Sequence, residues 1–148
     1  MKKFIQKNVL YVAFGQAFVA MMTSLYFSEV MKLPPCLLCW YQRIAMYPLV
    51  VILLVGFVEK DAKVVRYALP FSLAGLGISI YHNLLYYGII PESLAPCTLG
   101  VSCTTKFFEW FGFVTIPFLS FVAFTIITIC LIIAATYKKE PNLEPAAV

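Results

Sequence analysis

The sequence predicts an all-α integral membrane protein, built as a bundle of four spanning helices. Of its 148 residues, 62% are hydrophobic and only 12% are charged, whereas an ordinary soluble domain is about half apolar and about a quarter charged. The mean hydropathy of +0.90 agrees with this. The chain is too apolar to dissolve as a small globule and too poor in charge to be disordered. It also has no basic stripe with interleaved aromatic residues, which argues against nucleic-acid binding.

Four segments are long and apolar enough to cross a lipid bilayer, which takes about 20 residues. They run from Val9 to Ser28, from Trp40 or Arg43 to Val58, from Tyr67 to Ile90, and from Phe111 to Tyr137. Helices are expected because an open strand in lipid would leave backbone groups without partners. Residues 1–138 are then one membrane domain. The polar segment 139–148 is expected to be a disordered cytoplasmic tail.

The positive charges are distributed unevenly between the two sides of the membrane. Of the eleven Lys and Arg residues, eight lie before the first span, between the second and third spans, or after the fourth. The remaining three are Lys32, Arg43 and Lys106. Because positive charge is enriched on the cytoplasmic side, we expect both termini in the cytoplasm. The loops of about Glu29–Cys39 and Pro91–Trp110 are then extracytoplasmic.

Four of the five cysteines form two close pairs, one in each outward loop. Cys36 and Cys39 lie in the first loop, and Cys97 and Cys103 lie in the second. Since disulfides form and persist outside the cytoplasm, this placement predicts the disulfides Cys36–Cys39 and Cys97–Cys103. The fifth cysteine, Cys130, lies deep in the fourth span and is interpreted as a small apolar side chain.

Cys36 and Cys39 form a C-x-x-C motif that follows two prolines just before the second span. Prolines suit a helix start, and the free amides and dipole of a helix N-terminus favour thiolate. A thiolate that forms easily also leaves easily, so a disulfide in this motif is readily broken and re-formed. The motif therefore predicts redox chemistry, with a structural clip or half of a metal site as the alternatives.

The second pair would close a seven-residue ring, which Gly100 permits to turn. Because Cys97 and Cys103 are expected on the same face as the first pair, a redox relay is favoured, and structural stapling of the loop is the alternative. A zinc site made from all four cysteines is disfavoured. The C-x2-C and C-x5-C spacings differ from the usual paired pattern of thiolate zinc sites.

Two polar side chains lie in the outer parts of the second and third spans. Arg43 follows Cys39 by one helical turn, and a charge in a span is costly and usually functional. Arg43 either holds an oxygen of an electron acceptor and favours thiolate at Cys39, or extends to the lipid headgroups. His82, the only histidine, either bonds a neighbouring helix or donates to the acceptor. Ser24 in the first span is interpreted as an interhelical contact.

Electrons released by a dithiol at the membrane need an acceptor at the same depth. A lipid-soluble two-electron acceptor such as a quinone fits this requirement. The sequence contains neither a GxGxxG motif nor a visible haem attachment motif, so it indicates no built-in nucleotide cofactor or c-type haem.

The run Cys36-Leu-Leu-Cys39-Trp-Tyr-Gln-Arg43, followed by Ile-Ala-Met-Tyr-Pro, resembles the signature of the DsbB family, especially its Gram-positive branch, BdbC. The C-x-x-C-x-x-Q/E-R element is specific, and the segments 25–29 and 110–119 extend the likeness over nearly the whole chain. The resemblance implies a four-helix bundle in the cell membrane that acts as a thiol:quinone oxidoreductase. Such an enzyme re-oxidises an extracytoplasmic thioredoxin-like thiol oxidase (DsbA-like or BdbD-like). It reduces a membrane quinone, menaquinone or ubiquinone, and so drives disulfide formation in exported proteins.

The resemblance also assigns roles to the cysteines by their positions. Cys97 accepts attack from the partner's thiolate and forms the mixed disulfide. Cys103 then passes the electrons to the first pair. Cys36 exchanges with the loop pair, while Cys39 faces the quinone beside Arg43.

Two further positions match residues of the family that lie near the quinone. His82 lies near the family's span-three histidine, and Ile116 corresponds to an apolar quinone-contact residue before a proline. One feature departs from the family: Gram-negative members have a much longer stretch between the loop cysteines, whereas five residues separate Cys97 and Cys103 here. The short ring limits the reach of Cys103, so that either the whole loop moves or Cys97 acts in both roles.

Two other interpretations compete with this one. A vitamin-K-epoxide-reductase-like enzyme also combines four spans, a C-x-x-C motif and a quinone, but its motif lies near the last span. A non-enzymatic membrane module stapled by two structural disulfides would use the same cysteines without turnover.

Overall fold

The computed structural model of the chain describes residues 2–59, 63–94, 102 and 115–138. The helices are α1 (Lys2–Glu29), α2 (Leu37–Glu59), α3 (Val64–Tyr86) and α4 (Ile116–Lys138), with a short 3₁₀ turn at Glu92–Leu94. All four helices contain a segment long and apolar enough to cross a membrane, and none of the described residues forms a strand. The prediction of an all-α four-helix membrane bundle is therefore confirmed. The tail 139–148 lies outside the described residues.

Each helix packs against two others, so the four form a closed bundle. α1 contacts α2 and α4, and α3 contacts the same two helices. The end of α1 meets the start of α2 where Arg43 bonds Ser24, and the end of α3 meets the start of α4 where Asn83 bonds the Pro117 carbonyl. These helix ends lie together at one end of the bundle, which we call the cysteine end.

The second helix begins earlier than the predicted start at Trp40 or Arg43. The backbone N–H of Trp40 donates to the carbonyl of Cys36 at 3.1 Å, which makes Cys36 the N-cap residue of α2. The C-x-x-C motif is thus the first turn of the helix, because the two preceding prolines end the extended loop there. As a result, Arg43 lies nearly two turns inside α2 and not at its mouth.

The third helix ends at Tyr86, so the predicted end at Ile90 was wrong. Gly88 has a φ of +73°, a left-handed conformation that glycine adopts without steric cost. The N–H groups of Ile89 and Ile90 then both turn back to the carbonyl of Leu84. The chain therefore leaves the helix direction one turn sooner than its apolar composition suggests.

The fourth helix begins at Ile116; the predicted start of the span at Phe111 lies outside the described residues. Thr115 precedes it as the cap: its hydroxyl oxygen accepts the N–H of Phe118 at 3.3 Å. Pro117 suits the first turn, where its missing N–H is not needed. The first helix is also longer than the span predicted for it.

Close packing and buried polar bonds join the helices. The ring of Phe124, 1% exposed, lies against Gly75, where an added Cβ would overlap the ring. The hydroxyls of Ser72 on α3 and Thr128 on α4 form a buried hydrogen bond of 2.5 Å. Small residues and interhelical hydrogen bonds are how helices associate in lipid, where no hydrophobic effect drives them together.

Candidate active site at the cysteine end

The two cysteines of the C-x-x-C motif lie at the N-terminus of α2 with their sulfur atoms 3.0 Å apart. Cys36 is buried and Cys39 is half-buried. Both are free thiols, close enough for the thiol of one to donate to the sulfur of the other. They meet because residues three apart lie on the same face of a helix. The Cys36–Cys39 disulfide stays a prediction, and forming it would need only a small movement of the two sulfurs.

The surroundings of Cys36 lower the pKa of its thiol below the ordinary value. The largest cause is the side-chain hydrogen bond with Cys39, and the nearby His82 adds a hydrogen bond and a Coulombic effect. Burial acts in the opposite direction and raises the pKa. The backbone N–H of Cys39, in the first turn of α2, contributes least. The side-chain contacts with Cys39 and His82 thus favour the thiolate in addition to the backbone of the helix N-terminus.

A chain of hydrogen-bond contacts runs from Cys36 across the bundle. His82 on α3 is 2% exposed, and its Nε2 lies 3.8 Å from Sγ of Cys36. Its Nδ1 lies 3.4 Å from Nε2 of Gln42 on α2. The Oε1 of Gln42 in turn accepts the hydroxyl of Ser120 on α4 at 2.9 Å. His82 therefore bonds a neighbouring helix and also faces the Cys36 sulfur, while its predicted contact with an electron acceptor stays a prediction.

The guanidinium of Arg43 is fixed against α1. Its Nε donates to the hydroxyl of Ser24 at 2.9 Å, and its Nη2 donates to the Ser24 carbonyl at 2.9 Å and the Ser28 hydroxyl at 2.6 Å. The guanidinium carbon also lies 5.5 Å from the ring centre of Trp40. Ser24 thus makes the predicted interhelical contact. The Arg43 guanidinium is thus directed at the neighbouring helix α1.

A cavity of about 270 Å³ lies beside the two sulfur atoms, with residues of all four helices in its wall. The predicted site residues that line it are Cys36, Cys39, Arg43, His82 and Ile116. The wall as a whole is mainly apolar. A mostly apolar cavity with a few convergent polar groups is the usual form of a small-molecule site.

The second cysteine pair, Cys97 and Cys103, lies outside the described residues. The disulfide between these two cysteines stays a prediction. Ser102 is described and lines the cavity. Cys130 on α4 packs against the main apolar core, in agreement with its interpretation as a small apolar side chain.

Three residues of the site have no role in the sequence-based prediction: Gln42, Ser120 and Ser28. Gln42 does carry a signal, because it follows Cys39 by three residues on the same helix face and is polar within an apolar span. Ser120 and Ser28 carry none, since a lone serine in a span is common. Their roles follow only from the pairing of α4 and α1 with α2.

The sequence of this chain matches the family model described as disulfide bond formation protein DsbB over residues 6–135. The chain belongs to the DsbB family. It is 50% identical over 138 residues to the probable disulfide formation protein C 2 of Bacillus anthracis, covering 93% of this chain and 97% of that one. It is 48% identical over 124 residues to the probable disulfide formation protein C of Halalkalibacterium halodurans, covering 84% and 90%. For the disulfide bond formation protein C of Bacillus subtilis (strain 168), identity is 45% over 131 residues, covering 88% and 95%. The comparison with solved structures gave no significant match.

The predicted resemblance to this family and to its BdbC branch is confirmed. Membership supports a disulfide oxidoreductase that takes part in disulfide bond formation, and the four apolar helices make it a multi-pass membrane protein. The cysteine motif at the start of α2 also differs from the vitamin-K-epoxide-reductase arrangement, in which the motif lies near the last span. A purely structural module stapled by disulfides does not account for the family match.

Proposed function

We propose that this DsbB-family protein is a thiol:quinone oxidoreductase. It re-oxidises an extracytoplasmic thioredoxin-like thiol oxidase and transfers the electrons to a membrane quinone. The observation that supports this most directly is that both sulfurs of the C-x-x-C motif and the Arg43 guanidinium line one cavity within a membrane bundle. A dithiol in this position reaches an apolar oxidant more directly than it reaches a soluble one.

The residues around the cavity fit a quinone head group. Cavities that hold drug-sized molecules have about 300–1,000 Å³, so a volume of about 270 Å³ suits a single ring whose apolar tail remains in lipid. Among the described residues that line the cavity, Arg43 is the one Lys or Arg side chain, and it is a partner for a ring oxygen. Ile116 and Phe124 supply apolar wall on the α4 side.

In this mechanism the protein holds a reactive dithiol next to a fixed positive charge. Cys36 is the exchanging sulfur, because its surroundings favour the thiolate. Closing the Cys36–Cys39 bond releases two electrons and the remaining thiol protons. A bound quinone supplies the acceptor for two electrons and two protons. Arg43, held by α1, stabilises negative charge that develops at the cavity wall, as preorganised charges do in other active sites.

The loop pair connects this site to the partner. We propose that Cys97 takes the partner's attack and that Cys103 passes the electrons on to Cys36. Ser102, which precedes Cys103 in sequence, lines the same cavity as Cys36, and this supports a short transfer distance. The excess of Lys and Arg on the opposite side supports an extracytoplasmic cysteine end with both termini in the cytoplasm.

The proposal is tested with the purified protein in lipid nanodiscs. A reduced thioredoxin-like thiol oxidase is added with a short-chain ubiquinone or menaquinone, and the quinone absorbance is followed. We expect steady quinone reduction that Cys36→Ser abolishes, whereas Cys130→Ser, a matched cysteine outside the site, leaves it unchanged. If no quinone is reduced while the protein keeps its disulfides in the presence of partner, the proposed function is wrong.

A further inference from the structure

Each ring nitrogen of His82 faces a different partner, so the position of its proton matters. Nε2 faces Sγ of Cys36 at 3.8 Å and Nδ1 faces Gln42 at 3.4 Å. In a neutral imidazole one nitrogen carries the hydrogen and the other accepts. The hydrogen bond that one ring nitrogen makes usually determines whether the other nitrogen carries the proton.

Ser120 contacts the oxygen end of the Gln42 amide, so the nitrogen end faces the ring. The serine hydroxyl donates to Oε1 of Gln42 at 2.9 Å, which leaves the amide nitrogen towards His82. An amide N–H only donates, so Nδ1 has to accept and the ring hydrogen resides on Nε2. Gln42 and His82 are 7% and 2% exposed, so water competes little for these bonds.

We propose that Gln42, oriented by Ser120, is a positioning residue that selects the Nε2–H tautomer of His82, so that the ring donates a hydrogen bond to the Cys36 sulfur. This inference rests on the proposed role of Cys36 as the exchanging cysteine. In the proposed direction, the Cys103 thiolate attacks the Cys36 sulfur of the Cys36–Cys39 disulfide, and Cys39 leaves with the electron pair of the broken bond. When the Cys97 thiolate then attacks Cys103, the Cys97–Cys103 bond forms and Cys36 leaves as a thiolate. His82 keeps its proton throughout and stabilises that thiolate.

The test uses the fact that His82 is the only histidine in the chain. Protein labelled with ¹⁵N-histidine and purified with a histidine-free tag gives one imidazole, whose nitrogen shifts report the tautomer directly. In the reduced protein at pH 8 we expect the hydrogen on Nε2. Gln42→Glu replaces a donor by an acceptor and should move the hydrogen to Nδ1. Ser120→Ala should give a mixture, because the amide is then free to turn.

A matched control separates this effect from general loosening of the bundle. Ser72→Ala also removes a buried interhelical hydroxyl bond, to Thr128, but Ser72 does not line the cavity. It should keep the Nε2–H tautomer. A wild-type protein with its hydrogen on Nδ1, or a Gln42→Glu protein with an unchanged tautomer, would overturn the proposal.

The second measurement is the alkylation rate of Cys36 by iodoacetamide, followed by peptide mass spectrometry in a Cys97→Ser/Cys103→Ser background. Gln42→Leu should slow alkylation about tenfold at acidic pH, the change that corresponds to one pKa unit, and should match wild type at high pH. Among the described residues, the titratable or charged groups that line the cavity are Cys36, Cys39, Arg43, Tyr47, His82 and Tyr86.

An equal rate at every pH would contradict the proposal, and so would an equal slowing at every pH, which indicates a structural defect. If Gln42→Leu fails to fold, Ser120→Ala serves in the same comparison. Neither measurement uses quinone or partner. Failure here therefore leaves the proposed oxidoreductase reaction standing, and loss of quinone turnover leaves this result standing.

Discussion

Replacing Arg43 tests the step at which electrons leave the protein. Its guanidinium makes three hydrogen bonds to Ser24 and Ser28 of α1 and lines the cavity beside Cys39. If this cation holds an oxygen of the quinone, Arg43→Ala should weaken quinone binding and leave exchange between the cysteines and the partner nearly unchanged. Ser28→Ala should have a smaller effect of the same kind, because it frees one end of the guanidinium without removing its charge.

The expected magnitude follows from the bonds involved. A hydrogen bond to a charged group contributes about 1.5–3 kcal/mol, and each 1.4 kcal/mol changes an equilibrium about tenfold. Arg43→Ala should therefore raise the quinone KM about 10- to 100-fold. In Ser28→Ala, Nη2 keeps its 2.9 Å bond to the Ser24 carbonyl, so an increase of about three- to tenfold is expected.

The assay measures the two half-reactions separately. Quinone reduction is followed by absorbance over a range of quinone concentrations, which gives KM and kcat. Exchange with the reduced partner is followed without quinone by trapping the thiols and separating the species on a gel. Ser72→Ala removes a hydroxyl bond between two residues that do not line the cavity; it is the matched control and should change neither.

Two results would refute this reasoning. If Arg43→Ala leaves both KM and kcat for quinone unchanged, the cation does not act on the acceptor. If it slows partner exchange as strongly as quinone reduction, its effect is on the cysteines or on folding, and the assigned role is wrong.

Three further predictions concern stability, pH and the loop pair. Gly75→Ala should destabilise the bundle by about 1–3 kcal/mol, because its methyl group would overlap the Phe124 ring; thermal unfolding in detergent measures this, and Phe124→Leu in the same chain should restore part of the loss. The pKa of Cys36 is lowered, chiefly by the hydrogen bond with the other motif cysteine, so its alkylation should stay fast from high pH down through neutral pH and fall only below the lowered pKa. The alkylation rate of an ordinary thiol falls already below about pH 8.5, and a fall at that pH for Cys36 would contradict a lowered pKa. Cys103→Ser should accumulate a mixed disulfide between Cys97 and the partner, seen as a band that reductant removes; no such band, or one that forms through Cys36, would reverse the assigned order.

The number and type of helices could be predicted from the sequence, because apolar length alone determines a span in lipid. Helix ends could not. Cys36 caps α2 and Thr115 caps α4 through single hydrogen bonds, and Gly88 ends α3 through its backbone conformation. Hydropathy does not detect such local features, so the predicted start of α2 and the predicted end of α3 differ from the observed ones by three to six residues.

Part of the candidate site could also be predicted from the sequence, and part of it could not. Cys36, Cys39 and Arg43 follow from spacing within one helix, and all three line the cavity. Convergence of His82 and Ile116 on the same cavity was implied by the family resemblance, and it depends on how α3 and α4 pack. Ser28 and Ser120 belong to the site only through contacts 15 and 78 residues away along the chain, which no local pattern reveals.

The polar side chains of this site join helices as well as surrounding the cavity. Arg43 connects α2 to α1, Gln42 connects α2 to α3 and α4, and helices in lipid depend on such bonds because apolar contact with a neighbour gains little over contact with lipid tails. A variant at Gln42 therefore changes both the bundle and the environment of Cys36. Activity alone does not separate these effects. The two effects are separated by measuring a property of a single atom, such as the position of the His82 proton or the ionisation of Cys36. The same measurement on Ser72→Ala serves as the reference, because that variant loses an interhelical hydroxyl bond between residues that do not line the cavity.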